Sequence, residues 1–212
     1  MTIETPQSLF DELAEGYEGM REELDWNPFP HIEKAFENKD LRGLEILDAG
    51  CGTGEATRWF AARGAKPYGL DISPEMCWIA AERSENIPYL NHDLSEKMPF
   101  DDKRFDAVVA LGCLEYLEDI EFTLDEFVRV LKHDGMFLGC FEIFGEGCPN
   151  GFEPSVVFFA NWMRYRQSEA QIRSMILARF NEAVFERVPG FILEETHERT
   201  QYVRVIAKNK RQ

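Results

Sequence analysis

"ILDAGCGTGEATRWF" (Ile46–Phe60) sets Gly50, Gly52 and Gly54 between an apolar run and a helical pattern. A glycine-rich turn from strand to helix lets backbone approach a ligand closely, and that ligand is usually a nucleotide. A triphosphate loop requires the pattern GxxxxGK[ST]; no lysine stands here, so that reading is excluded. A dinucleotide fingerprint places glycine or alanine where Glu55 stands, and Asp48 lies just ahead of the turn. Two carboxylates beside a pyrophosphate oppose the attraction that a helix N-terminus normally supplies. The loop therefore calls for a nucleoside with little or no phosphate, and with positive charge within reach of Asp48.

Outward from the loop, short apolar runs alternate with amphipathic stretches from Leu44 to Phe141. The expected strands are Leu44–Ala49, Pro67–Ile72, Ile87–Asp93, Phe105–Leu111 and Met136–Phe141, apolar nearly throughout, as strands buried on both faces are. Ser73 and Pro74 form an N-cap and first helical position. Ile120, Leu124, Phe127, Val128 and Leu131 make one apolar helical stripe, closed by "HDG" at 133–135. Strand and helix in this alternation mean right-handed βαβ units and a parallel sheet. Asp71 then ends the second strand, 21 residues after Gly50, where an acidic side chain accepts from both ribose hydroxyls in a doubly wound sheet. S-adenosylmethionine meets all these demands, having an ammonium, a sulfonium, a ribose and no phosphate.

Composition narrows the partners. The chain has 212 residues, 44% hydrophobic and 29% charged, enough for one α/β domain with an appendage. Its net charge of −16 opposes DNA, RNA and anionic membranes, whose affinity comes from Lys and Arg contacts, and favours a neutral or cationic small molecule. Five cysteines without CxxC spacing read as free thiols of an intracellular, cytoplasmic protein. The acidic N-terminus is no signal peptide, no apolar run reaches membrane-spanning length, and scattered histidines give no metal-ligand spacing.

The motifs "FDELAEGY" (Phe10–Tyr17), "LDAGCGTG" (Leu47–Gly54), "GLDISPEM" (Gly69–Met76) and "HDL" (His92–Leu94) resemble those of class I S-adenosylmethionine-dependent methyltransferases. The stretches Pro99–Asp119 and Val128–Leu138 extend the resemblance, which is closest to the small-molecule branch containing the quinone- and biotin-pathway enzymes. It covers about residues 8–142 well. It implies an α/β fold: a Rossmann-like, doubly wound, seven-stranded and mostly parallel sheet. The last strand, near Tyr202–Ala207, would run antiparallel, with a helical N-terminal cap and an insert after strand five. One domain over 1–212 would then comprise a cap (1–40), a cofactor core (41–142), a lid or acceptor insert (143–168) and closing elements (169–212). Phe191–Thr196 is the expected partner of the last strand.

The resemblance also implies a cofactor site. Asp48, Gly50, Cys51, Gly52 and Gly54 would surround the methionyl part, and Asp71 the ribose, with Ile72 against the adenine. Asp93 would accept from the adenine amino group and Leu94 pack on the ring. Leu111–Leu114 would pass beneath the sulfonium, and Tyr17 close the site from the cap. The pattern departs from many relatives after strand four, where "CLEYLED" has Glu115 and Tyr116 in place of a histidine.

Methyl transfer from a sulfonium is an in-line displacement in which the protein mainly supplies approach and alignment. A base is needed only where the acceptor must lose a proton. Glu115 and Tyr17 are the candidate catalytic groups; the alternative for Glu115 is a solvated carboxylate at a helix start. The candidate acceptor pocket comprises His31, Tyr116, Glu142, Phe144, Phe159 and Trp162, the last three of which otherwise simply fill core. No metal is expected. Two other functions fit the same loop: a protein-directed methyltransferase, and a protein that binds S-adenosylmethionine without turnover. A nicotinamide oxidoreductase would need the phosphate contacts that Glu55 opposes.

Overall fold

The computed structural model of the chain describes residues 5–143, 154–156, 163–192 and 199–211. Five strands, β1 (Glu45–Ala49), β2 (Lys66–Asp71), β3 (Tyr89–Asn91), β4 (Phe105–Leu111) and β5 (Leu131–Ile143), pair in parallel. Two more, β8 (Phe180–Ile192) and β9 (Arg199–Lys210), complete a seven-stranded sheet in the order β3-β2-β1-β4-β5-β9-β8. β9 is antiparallel to both its neighbours. A separate short hairpin joins β6 (Pro154–Val156) to β7 (Met163–Tyr165).

Side-chain alternation assigns the two faces. Leu47, Val108, Ala110 and Phe137 pack on one face beneath α6 (Ile120–Val130) and α7 (Glu169–Arg179), while Ile46, Ala107, Val109 and Leu138 pack on the other beneath α3 (Phe29–Ala35) and α4 (Glu55–Ala61). All eight are buried. Each large side chain so enclosed contributes roughly 1.5–3 kcal/mol relative to exposure, and burial on both faces explains why these strands lack polar alternation.

The expected Ser73 cap forms, as does the capping box that Ser168 and Gln171 signal in the sequence. Ser73 Oγ accepts from Met76 N at the start of α5 (Pro74–Glu82), and Ser168 and Gln171 close a reciprocal capping box on α7. Elsewhere the structure departs from the sequence pattern, which over residues 1–40 reads as two helices interrupted at "NPFP". The cap is three helices, α1 (Pro6–Leu13), α2 (Tyr17–Glu23) and α3, with a 3₁₀ turn at Ala14–Gly16; "NPFP" begins α3, with Pro28 as its N-cap. β5 starts at Leu131, opposite Phe105, and the next pair is Met136 with Ala107, so the "HDG" turn bulges out within the strand pair. β8 starts at Phe180, directly from the end of α7, not near Phe191. The expected strand end at 193–196 lies outside the described residues.

Candidate functional site

β1 ends at Ala49, and Gly50, Gly52 and Gly54 all adopt left-handed φ of +71°, +52° and +82°. Only glycine enters that region without penalty. Space imposes a second requirement. A Cβ on Gly50 would lie 2.5 Å from Cys113 Cβ, and one on Gly54 would lie 2.7 Å from the Tyr89 hydroxyl.

Above the turn, at the C-terminal ends of β1, β2, β3 and β4, lies a cavity of about 790 Å³. That is within the range of roughly 300–1,000 Å³ usual for small-molecule sites. Gly50, Gly52, Asp71, Ile72, Asp93 and Leu94 line it, with Gly112, Cys113 and Tyr116 on the β4 side and Tyr17 from the cap. Four carboxylates stand on its wall, Asp71, Asp93, Glu118 and Asp119, and no Lys, Arg or His among the described residues does. Asp71 is buried; Oδ2 accepts from Gly52 N at 2.7 Å and Oδ1 from Ser73 N at 3.0 Å, so this carboxylate also fixes the glycine turn. Burial pushes its pKa up to about 6, helped by the charge of Asp11, while the backbone donors Ser73, Gly52 and Ile72 hold it down. Burial likewise raises the Tyr17, Tyr116 and Cys113 pKa values, which keeps all three neutral near pH 7.

Other predicted residues lie behind this wall. Asp48 sits under the turn, accepting from Thr57 Oγ1 at 2.5 Å, with its pKa raised to about 6 by burial. Cys51 and Gly54 pack inward, Cys51 beside Gly69 and Gly54 against Tyr89 and Ala80. Leu111 faces the packed layer that holds Leu24 and Cys140.

The cap is tied down by charge. Arg21 donates to Glu55 Oε2 at 2.6 Å and to the Trp26 carbonyl at 2.7 Å. Thr53 Oγ1 donates to Glu18 at 2.6 Å, Arg83 pairs with the same carboxylate, and Ser73 Oγ donates to Asp11 at 2.5 Å. Glu55, which breaks the dinucleotide pattern, is thus the anchor of α2. Sequence reasoning missed Arg21, although it interrupts the apolar stripe Tyr17, Met20, Leu24 with a charge.

The predicted acceptor residues divide. Tyr116 lines the cavity. His31 does not reach it: the ring stacks on Trp26 at 5.4 Å, and burial with the nearby Arg204 lowers its pKa to about 4. Glu115 is not solvated. It is 3% exposed, and its Oε1 accepts from Tyr202 Oη at 2.7 Å and Arg164 Nη2 at 3.0 Å. Glu142 pairs with the same Arg164, and burial raises its pKa to about 7. No sequence signal marked Arg164, whose strand is three residues long. Phe144, Phe159 and Trp162 lie outside the described residues.

A smaller void of about 60 Å³ adjoins the cavity and shares Phe10, Tyr17, Gly112 and Tyr116 with it. Among the described residues no group of His, Cys, Asp and Glu has a metal-binding arrangement, and no helix is long and apolar enough to cross a membrane.

Residues 47–139 match the family model described as a methyltransferase domain. The demethylmenaquinone methyltransferase of Tropheryma whipplei is 35% identical over 138 residues, 63% of this chain and 57% of that protein. The malonyl-[acyl-carrier protein] O-methyltransferase of Serratia marcescens is 33% identical over 96 residues, 45% of this chain and 37% of that protein. The matches thus span between about a third and three fifths of the length of these curated relatives. Among solved structures, the Burkholderia thailandensis 1,6-didemethyltoxoflavin-N1-methyltransferase superposes with a TM-score of 0.69 at 21% identity, covering 96% of this chain and 87% of the other. The fold is accordingly Rossmann-like, and residues 47–139 are similar to methyltransferase domains.

Proposed function

We propose that this chain transfers the methyl group of S-adenosylmethionine to a small-molecule acceptor. The observation that carries this reading is the large cavity over the glycine turn, walled by four carboxylates and no cation among the described residues. Such a wall repels the phosphates of NAD and suits a nucleoside bearing positive charge. The similarity to methyltransferases named for small acceptors, demethylmenaquinone and 1,6-didemethyltoxoflavin, supports the same reading.

The residues fit the cofactor. Asp71 would accept from the ribose hydroxyls and Asp93 from the adenine amino group, with Ile72 and Leu94 against the ring. The backbone at Gly50 and Gly52 would border the methionyl part, with Tyr17 and Gly112 around the reacting end. When bound, S-adenosylmethionine supplies a methyl carbon activated by a positive sulfur. The contribution of the chain is to hold the acceptor in line with that carbon, exclude water beneath α1 and α2, and keep the neighbouring Tyr17, Tyr116 and Cys113 protonated so that none competes as nucleophile. Among the described residues no group of His, Cys, Asp and Glu has a metal-ligand arrangement, and turnover should survive chelator.

Calorimetric titration tests the reading. S-adenosylhomocysteine should bind with micromolar or tighter affinity and NAD should give no heat. Binding of NAD in preference would overturn the proposal. Turnover of S-adenosylmethionine on an acceptor panel then separates an enzyme from a protein that only binds the cofactor.

A further inference from the structure

The small void beside the larger cavity is lined mostly by apolar and aromatic side chains. Among the described residues six rings wall it: Phe10, Tyr17, Trp26, Tyr116, Phe191 and Tyr202. They are arranged edge to face or stacked, with Phe10 at 5.2 Å from Tyr116, and Trp26 at 5.0 Å from Tyr202. Glu115 also lines the void, with a side chain 2% exposed. Its Oε1 is used twice over, by Tyr202 and Arg164, but its buried Oε2 has no hydrogen-bond partner among the described residues. A carboxylate oxygen buried without a donor carries a desolvation cost of roughly 1–3 kcal/mol or more, and ordinarily such atoms are satisfied. The other charged group of the void, Arg21, has its Nε equally without partner, while its two terminal nitrogens are held by Glu55 and Trp26.

Among the described residues the charges of the void already have partners: Arg21 pairs with Glu55, and Glu115 shares Arg164 with Glu142, which also lies 3.9 Å from Arg166. Glu115 Oε2 is the carboxylate oxygen of the void left without a donor among the described residues. At about 60 Å³ it is smaller than the 150 Å³ or so that holds a benzene ring, so a ring must extend across the shared rim at Gly112 and Tyr116 into the larger cavity. Resting on the methyltransferase reading above, we infer that the acceptor is a planar, largely apolar and uncharged ring system. It seats against these aromatic side chains and presents an O–H or N–H to Glu115 Oε2. Glu115 thereby selects a donor-bearing acceptor over the same ring already capped by a methyl group, and this also discriminates substrate from product.

The test uses three probes of one shape: 2-naphthol, which has the donor; 2-methoxynaphthalene, which lacks it; and 2-naphthoate, which is anionic. Each is titrated by calorimetry or ring fluorescence into the full chain saturated with S-adenosylhomocysteine, after that saturation has itself been measured. The naphthol should bind at least about tenfold more tightly than its methyl ether, the effect of one hydrogen bond to a charged group, and the naphthoate should bind most weakly. Glu115→Gln keeps the shape and one acceptor oxygen; it should leave the ether unchanged and shrink the naphthol advantage several-fold. A protein that binds S-adenosylhomocysteine yet shows no binding of any ring probe, equal affinity for naphthol and ether, or preference for the naphthoate overturns this inference and leaves the methyltransferase reading standing. Failure to bind S-adenosylhomocysteine would overturn that reading instead. The wild-type comparison decides the matter even if Glu115→Gln does not fold.

Discussion

Asp71 meets two demands at once, since the carboxylate that faces the cavity also accepts from Gly52 N and Ser73 N. Its loss should therefore loosen the glycine turn as well as weaken ligand binding. Its pKa of about 6 adds a testable sign. A ligand that donates hydrogens to this group binds the ionised form, so protonation competes with binding. Affinity for S-adenosylhomocysteine should be level above about pH 7 and fall by about tenfold at pH 5, one unit below that pKa. Asp71→Asn should bind about tenfold more weakly at pH 7.5 and change little further at pH 5, which calorimetry at the two pH values checks. A second residue-scale test concerns Gly50. A methyl there meets Cys113 Cβ, not merely its sulfur, on a backbone that already disfavours side chains by about 1–2 kcal/mol. Gly50→Ala should lower the melting temperature, Cys113→Ala should not rescue it, and Cys113→Gly should rescue it in part. The three glycines and Asp71 were legible because sequence position dictates them. Glu115 was singled out by position, but its environment was not legible, because Arg164 and Tyr202 arrive from 49 and 87 residues away.

At the scale of elements, α2 is held to the turn by side chains rather than by a broad apolar face. Glu18 meets Thr53 and Arg83, and Arg21 meets Glu55. Arg21 is nearly buried, so Arg21→Ala strands the Glu55 carboxylate and costs roughly 1–3 kcal/mol of cap docking. The expected result is faster hydrogen exchange over residues 6–35 with β1, β4 and β5 unchanged, and weaker cofactor binding, since Tyr17 closes one wall of the cavity. Equal acceleration throughout the chain would mean that the cap is part of the core. Elements buried on both faces, such as β1 and β4, were readable from their apolar runs. β8 was not: as an edge strand half its side chains face water, and "NEAVFER" (Asn181–Arg187) reads like an exposed helix until β9 pairs with it. The bulge within β5 was equally hidden, because "HDG" is turn chemistry whether it ends a helix or interrupts a ladder.

The whole molecule carries a net charge of −16, and the carboxylates on the cavity wall place part of that field at the site. S-adenosylmethionine has a net charge of +1 near neutral pH and S-adenosylhomocysteine is neutral overall, yet the two share every hydrogen-bonding group. Their affinity ratio therefore isolates the electrostatic contribution from shape and hydrogen bonding. Protein fields reach several kT at such surfaces, and one kT is a factor of about 2.7 in affinity. Ions screen the distant charges over a Debye length that shrinks from about 30 Å at 0.01 M to about 10 Å at 0.1 M, whereas Asp71 and Asp93 at the wall are screened much less. At 0.01 M salt S-adenosylmethionine should thus bind more tightly than S-adenosylhomocysteine relative to their ratio at 0.3 M. The ratio should decline by about two- to tenfold across that range, with the affinity of the neutral product nearly constant. Calorimetric titration of both ligands along a sodium chloride series measures this directly. A ratio independent of salt would mean that only the wall carboxylates act and that the remaining acidity has no bearing on the site. A ratio that rises with salt would contradict the cation-favouring cavity on which the cofactor assignment rests.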